Sequence, residues 1–142
     1  MIILDPIIDP WEVKRLLTRD NIYINCYQVE DLYSENIDFN TTIWFRVLQN
    51  DKEVGLVFIK EFCGKCVSFH GGIYKEHRKN SLTITKDALN KLKEMGCKLI
   101  TTISSNNIIT LKFIKKLDFE CIHTIKEGCS DNSNLLIFAE IE

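Results

Sequence analysis

Proline is nearly missing from this chain, two in 142 residues, and the six glycines are too dispersed to make a linker. With 45% hydrophobic content, the chain is read as one domain over residues 1–142 around one buried core. No run of about 18 apolar residues occurs, which argues against a membrane-spanning helix. The opening Met-Ile-Ile-Leu-Asp-Pro has neither a basic lead nor a small-residue cleavage site, so no signal peptide is expected. Neither charge sign dominates: 18 Lys and Arg stand against 20 Asp and Glu, a formal net charge of −2. Basic residues gather only at 75–79 and 112–116, which argues against a broad nucleic-acid face and fits an anionic small molecule better. Cysteine is not scarce. Six are present, at 26, 63, 66, 97, 121 and 129, several inside apolar strand-like runs, and reduced thiols in a cytoplasm are expected.

Residues 10–18 predict a first helix, because Pro10 is tolerated in a first turn and Trp11, Val13, Leu16 and Leu17 fit one face. A shorter helix is expected near residues 29–34. Residues 42–48 alternate and are rich in β-branched and aromatic side chains, 49–52 read as a turn, and 53–59 resume as a strand, making an antiparallel hairpin. Residues 62–65 turn the chain into a strand at 66–73. The period then becomes helical: Leu82, Thr85, Ala88, Leu89, Leu92 and Met95 recur at three- and four-residue spacing, and Gly96 follows as a stop. A strand at 98–103, N-cap candidates at Ser104, Ser105 and Asn106, and a helix at 107–117 come next. Strands at 120–125 and 135–141, separated by a polar turn at 127–134, finish the chain. The last strand is apolar enough to pair across a homodimer edge.

The stretch Cys66 to Thr83, CVSFHGGIYKEHRKNSLT, concentrates the chemistry. An apolar strand breaks at Gly71-Gly72, passes through the basic segment Glu76 to Asn80, and enters a helix at Ser81. A strand that delivers backbone amides into a loop ahead of a helix N-terminus is a seat for phosphate. Because a crossover helix joins them, the strands at 66 and 98 are expected to lie parallel and adjacent. The fold class is thus α/β with a mixed sheet, and ligands of such sheets sit at the carboxyl ends of the parallel pair. Cys63-Gly64-Lys65-Cys66 has the spacing of half a zinc site or of a redox pair, but zinc wants four ligands and no second CxxC or HxxxH exists, and it is read as a hairpin turn with two incidental cysteines. No metal is expected. Trp11, Tyr27, Tyr33, Trp44 and Phe45 read as core or cleft lining rather than a base-stacking platform.

The order of elements, the segment Ile73 to Thr83 and the later Asn107 to Phe119 together resemble the GCN5-related N-acetyltransferases, over roughly residues 43 to the C-terminus. In that family an Arg/Gln-x-x-Gly-x-Gly/Ala loop is followed by an asparagine, a helix and leucine-glycine-phenylalanine. Here the counterparts are Arg78, Asn107 and Leu117-Asp118-Phe119. Ser81 and Thr83 stand where the loop glycines are usual, Asp118 replaces a glycine, and Ile114 falls where many members carry a tyrosine general acid. The His-Gly-Gly-Ile run is similar to phage-encoded members, a weaker likeness. The resemblance implies a central, mostly antiparallel sheet of six to seven strands with a parallel splayed pair and helices on both faces.

It further implies a cytoplasmic acetyl-CoA-dependent transferase that acetylates a primary amine by direct attack within a ternary complex. Backbone groups of Ile73 and Tyr74 would pair with the pantetheine of the CoA thioester. Amides of Arg78, Lys79, Asn80, Ser81, Leu82 and Thr83 would hold its pyrophosphate, with Lys79 adding a charge and Asn107 serving as a contact or a helix cap. His70 is the first candidate for general base, against a plain packing role on its strand, and Glu76 at the cleft rim is the second. The acceptor amine is unassigned, and its recognition is expected to fall to residues 11–40. An alternative keeps the fold but not the catalysis, leaving a binding or virion-associated module.

Overall fold

The computed structural model describes residues 1–22 and 38–141. The helix expected near 29–34, with Cys26, Tyr27 and Tyr33, lies outside the described residues. The first strand, β1 (Ile2–Ile7), has no counterpart among the sequence expectations. It contains Pro6, which cannot donate to a ladder, and it survives because β1 is an edge strand. Asp9 then caps helix α1 (Pro10–Thr18) by accepting the Trp11 N–H at 3.0 Å, with Pro10 in the first turn.

Strands β2 (Thr42–Gln49) and β3 (Lys52–Cys63) form the expected hairpin. Asn50 and Asp51 both adopt positive φ, 50° and 65°, the turn whose twist matches the flanking strands. The next turn is tighter than expected: only Gly64 and Lys65 separate β3 from β4 (Cys66–Ile73), because Phe62 and Cys63 remain in the strand. A six-residue 3-10 segment, Lys75–Asn80, leads into α2 (Ser81–Glu94), which stops at Gly96 with φ 92°. Strand β5 (Lys98–Ser104), helix α3 (Ile108–Lys116) and strands β6 (Phe119–Ile125) and β7 (Leu135–Glu140) follow.

The seven strands lie in the order β1-β2-β3-β4-β5-β7-β6, antiparallel except for β4 and β5. Strand β7 is therefore interior, and the expected dimer edge at residues 135–141 is corrected: among the described residues the edges of the sheet are β1 and β6. Alternation along β3 separates two cores. Leu56 and Phe58 pack with Val13, Leu16 and Leu17 of α1, whereas Val57 and Ile59 pack with Ile84, Ala88, Leu89 and Leu92 of α2. Each of these side chains other than Ala88 contributes about 1.5–3 kcal/mol on burial. Trp11 does not share the buried face of α1. It lies two residues before Val13, about 200° around the helix, and is 77% exposed with Lys14 over its ring. Arg46 of β2 ties α1 to the sheet by reaching Glu12 at 2.6 Å and Asp5 at 3.2 Å.

Candidate functional site

Strands β4 and β5 pair for only three residues, Cys66 with Lys98, Val67 with Leu99 and Ser68 with Ile100. Beyond that the strands diverge. Residues 69–73 remain paired to β3 on one side, but their other edge has no strand partner among the described residues. At the vertex the Thr101 hydroxyl donates to the Phe69 carbonyl at 2.8 Å. The divergence opens a cavity of about 750 Å³, walled by His70, Gly71, Gly72 and Ile73 on one strand and Thr101 to Ser104 on the other. Gly71 is required there, because a Cβ would lie 2.2 Å from the Leu56 carbonyl oxygen. Close backbone packing of β4 on β3 thus holds one wall back.

The far end of the cavity meets the head of α2. Among the described residues no side chain caps that helix, and its first turn carries no carboxylate, so its positive end suits an anion. Arg78 and Ser81 both line the cavity there. The supply of amides is smaller than the sequence implied, because the basic segment is wound into the 3-10 turn: His77 N–H donates to the Tyr74 carbonyl at 2.8 Å, and Ser81 N–H to Arg78.

A clamp fixes this turn to the end of α1. Asp20 accepts the Lys75 N–H at 2.7 Å, Arg19 stacks 3.9 Å over the Tyr74 ring and pairs with Glu76, and the Tyr74 hydroxyl donates to the Leu16 carbonyl at 3.4 Å. Asp20 holds φ 55° and ψ 21°, a left-handed conformation that asparagine tolerates and alanine resists. Asp20→Ala should therefore lower stability by about 2 kcal/mol, from the lost acceptor and the strain together. Asp20→Asn should stay near wild type and Asp20→Gly fall between them, an order that urea unfolding reads directly. Equal midpoints for all three would deny the clamp any energetic role.

On the opposite wall, a polar network at the end of β5 stitches α3 to the turn before β7. Ser104 and Ser133 hydroxyls meet at 2.6 Å, the Asn106 N–H donates to Ser104 at 3.1 Å, and the Asn106 amide donates to Asp131 at 3.1 Å. The helix cap is Asn107, accepting the Thr110 N–H at 3.2 Å, which is one of the two roles expected of it, and the candidates Ser104, Ser105 and Asn106 do not cap α3. Donation by Ser133 N–H and hydroxyl and by Asn106 holds the Asp131 carboxyl below the usual range. Asp131 and Ser133 were missed by sequence reasoning, although the Asp-x-Ser spacing is a local turn signal.

No family model matches the sequence, and no curated protein sequence matches it significantly. Solved structures do match. A spermidine N-acetyltransferase from Vibrio cholerae, in complex with CoA and spermine, superposes with TM-score 0.74 at 15% identity, over 96% of this chain and 93% of that one. The ribosomal-protein-S18-alanine N-acetyltransferase of Escherichia coli gives 0.70 at 11% identity, over 99% and 93%. An IAA acetyltransferase from Bacillus cereus gives 0.68 at 11% identity, over 99% of both chains. The chain has the GCN5-related N-acetyltransferase fold.

Within that fold the expected site residues divide. His70, Ile73, Arg78, Ser81 and Asn107 line the cavity. Tyr74 does not: it is fully buried beneath α1, its N–H bonded to the Val54 carbonyl at 2.9 Å, and burial pushes its phenol well above the ordinary value. Glu76 faces Arg19 on the outside, and Lys79, Asn80 and Thr83 are exposed off the cavity wall, while Leu82 packs partly on the core. Ile114, for which the resemblance implied a tyrosine, is buried in the core and also lines the cavity. Among the described residues, no group of three or more Cys, His, Asp or Glu side chains is placed to hold a metal, and no helix is long and apolar enough to cross a membrane.

His70 extends a ring ladder across the sheet. Trp44 and Phe58 stand 4.4 Å apart between centroids, and Phe58 and His70 5.5 Å. Burial, with a smaller push from Lys60, lowers the His70 pKa to about 4. Because the folded value lies below the ordinary 6.5, the associated stability is complete above pH 6.5 and is lost as pH falls through 4. Unfolding free energy should drop by about 2 kcal/mol between pH 7.5 and pH 5 from this group. His70→Gln should flatten that slope in denaturant titrations, and an unchanged slope would refute the assignment.

Proposed function

We propose that this protein is an N-acetyltransferase that moves an acetyl group from acetyl-CoA to a primary amine by direct attack in a ternary complex. The observation that carries the reading is the divergence of β4 and β5 after Ser68 and Ile100 into a cavity with Arg78 and the uncapped head of α2 at one end. Beyond the Phe69 carbonyl held by Thr101, residues 70–73 offer a strand edge with no strand partner among the described residues, of the kind a pantetheine arm can join, and Arg78 with the α2 amides suits a pyrophosphate. The three acetyltransferases that share the fold support the same chemistry. Isothermal titration with acetyl-CoA tests it: saturable binding is expected, and no heat at millimolar cofactor would overturn it.

In this reading His70 is not the deprotonating base first assigned to it. A histidine with pKa about 4 would have to take a proton from an ammonium of pKa about 10, which is strongly uphill. His70 instead accepts a hydrogen bond from an amine that arrives neutral. Ile114 supplies no proton, so the proton that the nitrogen sheds as the amide forms passes through water to the departing thiolate, and no net proton is taken up or released. Turnover should therefore rise with pH through the acceptor amine's own titration, and an inflection between pH 6 and 7 that vanishes in His70→Gln would contradict this.

The buried Ile114 favours a second reading, a cofactor-binding module without turnover. It predicts acetyl-CoA binding with no acetylation of polyamine, lysine-peptide or N-terminal amine panels.

A further inference from the structure

The turn between β3 and β4 lies at the closed end of the β4–β5 pair, away from the cavity, and carries a feature that acetyl transfer does not use. After a register shift between Glu61 and Cys63 that leaves Phe62 without a partner on β4, Cys63 and Cys66 are cross-strand partners flanking a two-residue turn. Gly64 takes φ 59° while Lys65 does not share the positive φ, the pattern of a turn that closes a tight hairpin. Directly opposed residues of an antiparallel pair have Cα atoms about 4.5–5.5 Å apart, inside the window of about 4.4–6.8 Å that a disulfide requires. Both cysteines are free thiols, with Cys63 exposed and Cys66 partly exposed.

The register points to a modification site, and we propose that Cys63 and Cys66 form a dithiol that a low-molecular-weight disulfide converts reversibly to an intramolecular bridge. The Cys63 thiolate attacks one sulfur of the oxidant, forming a mixed disulfide and releasing one thiol. The Cys66 thiolate then attacks the Cys63 sulfur and releases the second. Two protein thiols are oxidised, one disulfide is reduced, and both protons leave with the departing thiols or the solvent. Closing so short a loop removes little chain entropy, so the bridge is a labile modification rather than a structural staple.

Cys97 is the nearest rival in the fold, since Lys98 pairs with Cys66 and donates its N–H to the Lys65 carbonyl at 2.9 Å. It stays out of the bridge. Cys97 packs against the core on the α2 face, the face to which Val67 and Phe69 belong, whereas strand alternation puts Cys66 on the other face. Burial also raises the Cys97 thiol above its ordinary value.

Incubation of the folded full-length chain with oxidised glutathione, followed by alkylation and peptide mapping, tests the proposal. Wild type is expected to yield a 63–66 bridge two hydrogens lighter, without glutathione on either residue, and to lose it under mild dithiothreitol. Cys66→Ser should retain one glutathione on Cys63, and Cys97→Ser should behave as wild type. Exposed Cys121 should take its own adduct, confirming that the oxidant acted. Stable adducts on both Cys63 and Cys66, a bridge to Cys97, or two unreacted thiols beside a modified Cys121 would each overturn the assignment.

Discussion

Gly71→Ala is expected to lower unfolding free energy by about 3 kcal/mol or more, the upper end of the usual cost of overpacking. The new methyl carbon would lie 2.2 Å from the Leu56 carbonyl oxygen and 2.9 Å from the Val57 Cα, both backbone atoms of a neighbouring strand. Neither can rotate away as a side chain tip would. Relief requires β4 to move off β3, and β4 is the wall of the cavity, so cofactor binding should weaken as well. Gly96→Ala is the control: open space surrounds it, only its φ of 92° resists a side chain, and a cost of about 1 kcal/mol is expected. Urea unfolding of the two variants separates them, and equal midpoints would mean that the close approach of β3 and β4 does not constrain the cleft.

Arg78→Ala should reduce acetyl-CoA affinity by about tenfold to a hundredfold, the usual range for losing a charge-assisted hydrogen bond. Three of the four arginines are already engaged: Arg15 with Glu12 and Glu53, Arg19 with Glu76, Arg46 with Asp5 and Glu12. Arg78 has no ion pair among the described residues and lines the cavity beside Ser81. Its removal leaves no buried partner unsatisfied, so stability should stay within about 0.5 kcal/mol of wild type, as for ordinary surface changes. Arg78→Lys should recover part of the affinity, because an ammonium keeps the charge but not the planar two-pronged donor. Calorimetry alone decides the matter. An alanine variant that binds acetyl-CoA like wild type would show that phosphate recognition lies elsewhere.

Most elements were legible because their signals are local. The Asn50-Asp51 turn, the helical period from Leu82 to Leu92 and the stop at Gly96 each follow from residues adjacent in sequence. Strand β1 was not, since Pro6 argues against a strand unless it is known to be an edge, and edge status is a tertiary fact. The interior place of β7 was hidden for the same reason, as an apolar strand reads alike at an edge and between two neighbours.

At the site, Arg78 and Ser81 were found because a helix start after a glycine break is written in the chain, and Asn107 because it stands where the resemblance places an asparagine ahead of a helix. The winding of residues 75–80 was not, and it moved several expected contacts: a 3-10 turn bonds its own amides and turns Glu76 and Lys79 outward. The fate of Tyr74 depended on Leu16 and Arg19, more than fifty residues away. The basicity of His70 depended on burial against Phe58, which no spacing rule reports.

The claim beneath all of this is that the divergence of β4 from β5 admits a CoA thioester. Amide-resolved NMR of the labelled protein during CoA titration tests it most directly. Saturable shifts are expected at residues 69–73, at the head of α2 around Ser81 to Thr83, and along Thr101 to Ser104, with β1 and β6 silent. A spectrum unmoved at millimolar CoA, or shifts confined to the outer surface around Arg19, Lys75 and Glu76, would contradict the account.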